Sequence, residues 1–572
     1  MKKILVSVVL LGAAVAAGAQ TMYDAMNYSQ NNYYGTARSM ALGNAVTAVG
    51  GDLGTIGINP AGSAVAGYSQ FTISPGISMS SSVSNYSPVG ELQYGSPTRI
   101  SRRKMFVPNI GFSLNMDTGN EYGVKNWTIA FISNHTNSYH NAFAGFGVNS
   151  NTSRFAEFAS ACNGLGSSVF DSGDPYYDSD VTWDLISAYK ANLFGSYGDG
   201  RHYAGNTTTL SPDGSYSYVP SDLNQASEVV RVGYKSDVLF NVGANFNDWL
   251  YLGFNIGMPT ASYQYKEFYS ETAANPDMFP IIFIKDGREV PTNFRSGSSD
   301  YSYIADVSGI YAKVGAIMLP TERLRFGVSF QTPTSYTVKE EWQYDAASNY
   351  DDSRFNASAS SPTGSYEYCL KSPYVLDLGL AYTFGAFGLL SVDYELMDYS
   401  VMKFKDVYED SYYYGDDTFR VANEVNNLFC GASHSLRVGA EVRVTPMLSL
   451  RAGYSFITSP EKYYQDSNGN TVGPDLYKDD FDNYHNKVAL LDGGHYYNDM
   501  IKSFSAGLGY SSNGSFFCDF AFRQNRYPTS WFSPYYDYVN YNSAGLAVNV
   551  ASPKVRTDRV LREFVLTFGW RF

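Results

Sequence analysis

The last fifteen residues of the chain, from Asp558 to Phe572, alternate between large apolar residues and residues that are mostly small or polar. A repeat of two residues indicates a β-strand, because successive side chains of a strand point to opposite faces. The segment therefore predicts a strand with one strongly apolar face. On that face lie Phe572, Trp570, Phe568, Leu566 and Phe564, and on the other lie Arg571, Gly569, Thr567, Val565 and Glu563.

A strand that ends the chain on an aromatic residue resembles the closing strand of a bacterial outer-membrane β-barrel. In such barrels the C-terminal Phe belongs to the assembly signal, so we expect Phe572 to be read by the barrel assembly machinery. The alternative is the last strand of a soluble β-sandwich.

The N-terminus predicts export. Met1 to Lys3 is basic, Ile4 to Ala17 is apolar, and Ala17-Gly-Ala19 is a small-x-small cleavage site. The apolar run is too short for a membrane helix and is followed by polar sequence, which is typical of a secretory signal peptide. We predict a signal peptide over residues 1–19 and a mature chain that begins near Gln20. No Cys lies near the cleavage site, so a lipoprotein is not expected.

Composition favours one large barrel. The chain has 572 residues with no long linker, and aromatic residues make up 16% of it, which suits aromatic girdles and surface loops. The net charge of −14 argues against a nucleic-acid partner. No Cys or His spacing typical of metal sites occurs, so no metal and no cofactor is expected. One disulfide between Cys369 and Cys430 is an open alternative.

The same alternation recurs along the chain. In each repeat one face is large and apolar and the other is small or charged, so the apolar face is expected to meet lipid and the charged face a lumen. Val438, for example, is assigned outward, and its neighbour Gly439 is expected to face water in the lumen. About fourteen strands are predicted, starting near Tyr68, Pro108, Asn126, Arg231, Trp249, Ser308, Leu324, Lys371, Gly388, Ser433, Leu448, Lys502, Ser515 and Asp558.

The lengths of the connections predict which end of the barrel is periplasmic and which is extracellular. Short turns such as Thr445-Pro-Met447 alternate with long polar stretches, as periplasmic turns alternate with extracellular loops. The barrel with these loops is assigned to residues 68–572. Its largest loop, residues 135–230, contains two segments that could be helical, Ser153–Cys162 and Asp180–Phe194. The long polar stretches lie near 266–307, 344–370, 405–432, 459–501 and 526–557.

Residues 20–67 lack the alternating pattern of a β-strand. They are rich in glycine and small residues, which suit a segment packed in a confined space, so we predict an N-terminal hatch that plugs the barrel. The segment Gly35–Gly43, followed by Asn59-Pro60-Ala61-Gly62, resembles the hatch of the FadL/TodX family. That family comprises outer-membrane transporters of long-chain fatty acids and other hydrophobic compounds. The segments Leu390–Tyr399 and Leu450–Phe456 resemble strands of the same family.

The resemblance implies a monomeric, all-β barrel of about fourteen antiparallel strands in the outer membrane of a Gram-negative bacterium, with outer-membrane lipids around it. It also implies uptake of a hydrophobic small molecule past the hatch, and no enzymatic activity. The alternatives are a general porin for polar solutes and a surface-binding protein, such as an adhesin or haem receptor. No nucleophile elbow or other catalytic motif occurs in the sequence. A hydrolase site assembled from distant loops is a further alternative, and only the His residues of the loops favour it.

Charged residues on the predicted lumen face allow two interpretations. The first is ion pairing between strands, which would fill and rigidify the lumen. The second is that Arg437, Arg443 or Arg451 receives a substrate carboxylate, because a guanidinium group binds a carboxylate through two parallel hydrogen bonds. The six His are expected in loops or at the extracellular rim, where a metal or haem site is a minor alternative to solvated side chains.

Overall fold

A computed structural model describes the folded chain. It covers residues 21–88, 95–171, 173–211, 217–407, 419–466, 469, 471–474, 492–512, 515–541 and 546–572. The predicted signal peptide, residues 1–19, lies outside the described residues, as does the acidic stretch 408–417.

The chain forms a closed antiparallel barrel of fourteen strands. Each predicted strand corresponds to one strand of the barrel, so the predicted fold class is confirmed. The strands are β1 Gln70–Ser87, β2 Thr98–Asp117, β3 Val124–Ser138, β4 Leu223–Phe246, β5 Leu250–Ala273, β6 Arg288–Met318, β7 Leu324–Gln331, β8 Val375–Thr383, β9 Gly388–Asp398, β10 Ala432–Arg443, β11 Leu448–Thr458, β12 Met500–Ser511, β13 Phe516–Arg526 and β14 Lys554–Arg571.

The barrel closes between its first and last strands. Phe71 of β1 pairs with Trp570 of β14, and the ladder continues along the whole seam. The end of the seam is fixed by two backbone hydrogen bonds between Ser69 and Phe572, of 3.2 Å and 3.0 Å. Closure pairs the backbone groups of both edge strands, which is required of a sheet that faces lipid.

The outward face of the barrel is an apolar belt. Phe326 and Phe330 of β7 are each 42% exposed, and Leu450 of β11 is 45% exposed. Alternate residues point inward, where Asp377 and Arg437 are buried. A soluble barrel would show the reverse arrangement, because its large apolar side chains would fill its interior. The predicted alternation is confirmed, and the belt needs a hydrocarbon environment.

Three neighbouring strands rise far above this belt. β4, β5 and β6 have 24, 24 and 31 residues, whereas about 9–11 residues cross a bilayer. The prediction of a long polar loop over 266–307 was therefore wrong, because most of that stretch is strand. Outside the bilayer the outward face becomes polar, as at Gln264 and Lys266, and the hydrophobic alternation fades while backbone pairing continues.

The wall above β7, β8 and β9 is built from separate strands. Pro333 and Pro373 interrupt the ladder after β7 and before β8, because proline cannot donate to a sheet. Beyond these breaks three strands carry the wall upward and pair with one another or with β6. They are Ser335–Tyr350, Gly364–Lys371 and Lys403–Asp406.

Shorter strands lie at the same end of the barrel. The end with the long connections therefore carries almost all the structure outside the membrane. These strands are Asn141–Asn149, Phe194–Tyr197, His202–Gly205, Thr209–Leu210, Ser217–Tyr218, Pro280–Lys285, Ala357–Ser360, Lys462–Gln465, Thr471–Val472, Asp492–Tyr496, Ser530–Phe532, Tyr538–Tyr541 and Ala547–Val550.

Helices occur in the hatch and in the outer connections. Both segments of the loop 135–230 that were predicted to be helical contain a helix. No helix in the described ranges is long and apolar enough to cross a membrane. The α-helices are α1 Met22–Ser29, α2 Ala37–Ala41, α3 Arg154–Cys162, α4 Pro175–Asp178, α5 Trp183–Lys190 and α6 Arg420–Phe429, and the 3-10 helices are Leu53–Thr55, Pro60–Ser63, Ser167–Phe170, Pro276–Met278, Ser353–Phe355 and Tyr399–Val401.

Candidate functional site

The hatch lies inside the barrel and begins its path with two short capped helices. The Thr21 hydroxyl accepts a hydrogen bond from Asp24 N at the start of α1, and the Thr36 hydroxyl accepts one from Ser39 N at the start of α2. These caps satisfy N–H groups that a helix end leaves without a partner. The hatch therefore folds as a set of short turns, each closed by its own polar side chain.

The Asn59-Pro60-Ala61-Gly62 motif forms the last of these turns. Asn59 Oδ1 accepts a hydrogen bond from Ala61 N at 3.0 Å, and Pro60 occupies the first position of a 3-10 helix. Asn59 Nδ2 donates to the carbonyl of Thr47 at 2.7 Å and to that of Ala316 on β6 at 3.1 Å. One buried amide thus closes the turn and ties it to the barrel wall.

A ring of glycines on the inner wall receives the hatch. A Cβ at Gly315 of β6 would lie 2.0 Å from Asn59 Oδ1, and one at Gly439 of β10 would lie 2.4 Å from the Leu42 carbonyl oxygen. Glycine in a strand marks a place where another backbone approaches closely. Gly439 therefore faces the hatch, and the expectation that it faces water was wrong. We call these residues the glycine ring: Gly243, Gly253, Gly315, Gly327, Gly379, Gly439, Gly453 and Gly507.

The glycine ring shows how the hatch is threaded. Ala41 of the hatch meets Gly507 on β12, Thr47 meets Gly327 on β7, and Ser63 meets Gly243 on β4. The hatch therefore winds around the inner wall from β12 to β4 as its sequence advances. Because each contact is backbone against backbone or a short side chain, little space is left between the hatch and this part of the wall.

Basic side chains of the wall bind carbonyl groups of the hatch. Lys313 Nζ on β6 donates to Gly57 O at 3.1 Å, and Arg325 Nη1 on β7 donates to Val49 O at 2.9 Å. Lys235 Nζ on β4 donates to Tyr28 O at 2.8 Å, and Arg523 Nη1 on β13 donates to Tyr33 O at 2.9 Å. These carbonyl oxygens lie in turns, in an irregular segment or at a helix end, where regular structure supplies no donor. The cations supply the missing donors.

Arg437, one of the predicted carboxylate-binding residues, lies in the lumen beside two carboxylates of the wall. Its Nη2 is 2.6 Å from Glu395 Oε2, and its Nη1 is 3.6 Å from Asp377 Oδ1. Its guanidinium carbon lies 5.1 Å from the centre of the Tyr33 ring of the hatch. This arrangement corresponds to the ion-pairing interpretation, and binding of a substrate carboxylate by Arg437 stays a prediction.

Arg451 is held in a second ion-pair group. Arg451 lies 2.7 Å from Glu441 and 2.5 Å from Asp519, and Glu441 in turn lies 3.0 Å from Arg38 of the hatch. The group therefore links the hatch to three barrel strands. Arg443 differs from both, because it is exposed next to the short turn that follows β10 and lies outside the buried lumen.

The lumen above the hatch has a wall of aromatic and aliphatic side chains. Met26 and Tyr28 of α1 pack against it, and the Tyr28 and Tyr303 hydroxyl oxygens are 3.1 Å apart. The Tyr263 ring centre lies 6.3 Å from that of Tyr28. We call this wall the upper apolar cluster, and its buried members on the barrel strands and their extensions are Ala261, Tyr263, Tyr303, Ala305, Val307, Tyr336, Val338, Tyr368, Leu370, Val375, Met397 and Phe404.

The loop 135–230 forms a cap with its own apolar core. Phe155 of α3 and Ile186 of α5 are fully buried in it, together with Phe294 of β6. Burial raises the pKa of the Glu157 carboxyl on α3 to about 8, although the Arg154 guanidinium opposes the shift. The loop is therefore a folded unit, and its core includes a residue of the barrel strand β6.

A small polar crevice lies between the hatch and the wall at β10 to β13. Its volume is about 30 Å³, and Asn32, Asn44, Arg437, Ser505 and Arg523 are among its lining residues. A volume of this size holds one or two water molecules. The crevice therefore suits water that hydrates the ion pairs, and it is far too small for a drug-sized ligand.

Two of the His residues lie on barrel strands, not in loops. His135 is on β3 and stacks on Tyr234 with ring centres 5.0 Å apart, and His434 is on β10 with its Nδ1 2.7 Å from the Tyr394 hydroxyl. Among the described residues no group of three or more His, Cys, Asp or Glu is placed to hold a metal ion. Cys430 is a buried free thiol, so the alternative of a disulfide to Cys369 is not realised.

Three solved structures of similar architecture are two toluene transporters and a FadL homologue. The P. putida toluene transporter TodX is 11% identical to this chain, with 95% of this chain and 99% of that one covered and a TM-score of 0.45. A Pseudomonas aeruginosa FadL homologue is 12% identical, with coverages of 95% and 98% and a TM-score of 0.44. The Ralstonia pickettii toluene transporter TbuX is 12% identical, with coverages of 96% and 100% and a TM-score of 0.42.

These solved structures include TodX and a FadL homologue, the two proteins whose names the family resembled by the hatch sequence carries. At these identities and scores the likeness is one of architecture, and no residue's role is transferred. No protein-family model matches the chain, and no curated protein matches its sequence.

Proposed function

We propose that the protein is an outer-membrane transporter that takes up hydrophobic small molecules through its plugged barrel. The observation that carries the proposal is the upper apolar cluster. Tyr303, Val338 and Leu370 of this wall are buried, and they line the lumen above the hatch, where a channel for polar solutes would present charged and hydrated side chains.

The N-terminal helix α1 covers part of this wall. Met22 and Met26 of α1 are buried against it. The methionine side chain is flexible, so the wall and the helix can repack around a bound ligand. In this proposal a hydrophobic ligand competes with α1 for the upper apolar cluster, and movement of the hatch then lets the ligand pass.

The location follows from the surface of the barrel. An apolar belt outside, short turns at one end and folded loops at the other are typical of a bacterial outer-membrane barrel with its loops outside the cell. The wall is closed by β1 and β14 of the same chain, so we propose a monomer. Export would use the predicted signal peptide over residues 1–19.

The substrate is proposed by class. Long-chain fatty acids are implied by the family resemblance of the hatch, whereas two of the similar structures are toluene transporters by name. Tyrosine faces suit aromatic rings and Leu, Val and Met suit acyl chains, and the upper apolar cluster offers both kinds of surface. A carboxylate at the end of an acyl chain would then be received by Arg437 only if its pairing with Glu395 were broken.

Uptake into cells that lack their own hydrophobic transporters tests the proposal. Radiolabelled oleate, radiolabelled toluene and a polar disaccharide are the three probes. We expect the protein to accelerate uptake of at least one hydrophobic probe at least fivefold and to leave the disaccharide unchanged. Heat-modifiable migration of the protein in gels controls for correct assembly.

The alternatives give different results. A general porin would accelerate the disaccharide, and that result would overturn the proposal. A surface-binding protein would change none of the three rates although the barrel is assembled, and that result would also overturn it. The hatch favours the transporter over the porin, because it fills the lumen within the glycine ring.

A further inference from the structure

Four basic residues form a row on the outward face of the barrel. They are Arg103 on β2, Lys502 on β12, Arg526 on β13 and Arg562 on β14, and all four are exposed. We call them the basic row. They span five neighbouring strands, because β1 lies between β14 and β2 in the closed barrel.

The strand register places these residues close to one line of paired residues across the five strands. Lys502 pairs with Arg526, and Arg562 pairs with Gln524 on the same strand as Arg526. Met79 of β1 pairs with both Arg562 and Arg103. The four cations therefore lie within one outward position, which is two residues along a strand, of a common line of paired residues.

This line runs along the upper edge of the apolar belt. One outward position below the cations come Phe504 on β12, Phe564 on β14 and Ile77 on β1, and Phe504 is 50% exposed. Lys502 follows the long connection before β12, and Arg526 precedes the long connection after β13. The basic row therefore lies at the end of the barrel that carries the long loops, which is the extracellular end.

The row stands out against the charge of the protein. The chain has a net charge of −14. On the opposite wall, the outward positions just above the belt carry no cation at Thr260 of β5 and at Asp306 and Ser308 of β6. Within the described ranges none of the four cations forms an ion pair with a carboxylate. Arg562 Nε donates to the neutral Gln524 side chain at 2.9 Å, which keeps its guanidinium directed along the outer surface.

We propose that the basic row binds the phosphate groups of lipid headgroups in the outer leaflet. Guanidinium groups bind phosphate oxygens through paired hydrogen bonds, and long basic side chains at a membrane interface reach toward headgroups while their stems lie along apolar surface. Clustered Lys and Arg next to a membrane attract anionic lipids. The row thus anchors one side of the barrel to phosphorylated lipid, while the wall at β5 and β6 meets the leaflet without such an anchor.

Lipid binding by the purified full-length chain tests this inference. The probes are a bisphosphorylated outer-leaflet glycolipid (lipid A) and the same glycolipid after enzymatic removal of its phosphates. Native mass spectrometry in mild detergent measures the retained lipid at a series of lipid concentrations. The variant carries Arg103→Gln, Lys502→Gln, Arg526→Gln and Arg562→Gln.

A matched control removes the same number of charges from exposed positions away from the row. It carries Lys266→Gln, Lys285→Gln, Lys371→Gln and Lys403→Gln. We expect the parent and this control to prefer the phosphorylated lipid at least tenfold, and the basic-row variant to bind both lipids alike. If the basic-row variant does not assemble, the pair Lys502→Gln and Arg526→Gln is measured by the same criterion, with an expected loss of at least threefold.

Two results would overturn the inference. One is a parent protein that retains the two glycolipids equally, and the other is a control that loses as much preference as the basic-row variant. Neither result bears on hydrophobic uptake, because the experiment measures retained lipid and not transport.

Discussion

Asn59 of the hatch lies directly against Gly315 of β6. A Cβ at Gly315 would be 2.0 Å from Asn59 Oδ1, and Asn59 Nδ2 donates to the carbonyl of the neighbouring Ala316 at 3.1 Å. The two residues are 256 positions apart in sequence, yet the turn of the hatch and the missing side chain of the strand fit each other. This contact shows how closely the plug is seated.

The first prediction concerns this contact. Gly315→Ala should shift the turn at Asn59 and destabilise the folded barrel by about 1–3 kcal/mol, because overpacking a tight contact costs that much. The displaced hatch should also raise the permeability of proteoliposomes to a small polar dye. Gly195→Ala is the matched control, since a Cβ at Gly195 meets no atom within 4 Å. Equal behaviour of the two variants would contradict the seating described above.

The second prediction concerns the whole plug. Deleting residues 20–60 removes most of the segment that fills the glycine ring and leaves every strand of the barrel in place. We expect a barrel that still inserts, conducts small ions in planar bilayers and no longer favours hydrophobic probes in uptake. A deletion variant that is correctly assembled and as impermeable as the parent would show that this segment is not the plug.

The third prediction concerns the buried cation of β6. Lys313 Nζ lies 3.2 Å from Asp377 Oδ2, and both side chains have no exposed surface. Lys313→Met should destabilise the barrel by about 3–5 kcal/mol, because it leaves a buried carboxylate with less compensation. The added change Asp377→Asn should recover part of that loss. Lys339→Met, which breaks the exposed pair with Glu367, should cost less than about 1 kcal/mol.

Unfolding in urea from lipid vesicles measures these differences. A double-mutant cycle for Lys313 and Asp377 gives their coupling energy directly. Additive effects of the two substitutions would mean that the pair is not coupled in the folded barrel.

The fourth prediction concerns the lipid face. Val438 of β10 is outward and 36% exposed. Val438→Arg should destabilise the inserted barrel by about 2–4 kcal/mol for a site near the midplane of the bilayer. Gln264→Arg, on the part of β5 above the belt, should have little effect because its side chain is in water. Vesicle-based unfolding distinguishes them, and similar losses in both variants would contradict the position of the belt.

The fifth prediction concerns the closing seam. The backbone of Phe572 exchanges two hydrogen bonds with Ser69, while its side chain is 71% exposed. Removal of Phe572 should lower the amount of heat-modifiable protein in the outer membrane, because the free side chain is available to the assembly machinery. Phe572→Tyr keeps the aromatic ring and the seam and should assemble nearly as well. Undiminished assembly of the truncated chain would contradict an assembly role for Phe572.

Much of the barrel could be predicted from local patterns. The number of strands and the presence of a hatch follow from patterns within short stretches of sequence. These patterns are the alternation with a period of two, the short turns and the glycine-rich N-terminal segment. The upper ends of β5 and β6 could not, because strand pairing outside the bilayer does not need an apolar face. Their extent depends on neighbouring strands, such as the pairing of Tyr265 with Tyr303.

The sequence by itself determined the barrel class, the outward position of residues such as Val438 and the place of the Asn59–Gly62 turn. Contact with lipid selects apolar residues at every second position of a strand, and backbone geometry selects Pro and Gly at a turn, so both leave a local pattern in the sequence. The tertiary structure alone decided what the lumen residues do. Arg437 meets Glu395 and Tyr33, and Gly439 meets Leu42, because closing the barrel around the hatch brings together residues hundreds of positions apart. No local pattern specifies such contacts, since they depend on the path of the hatch around the inner wall.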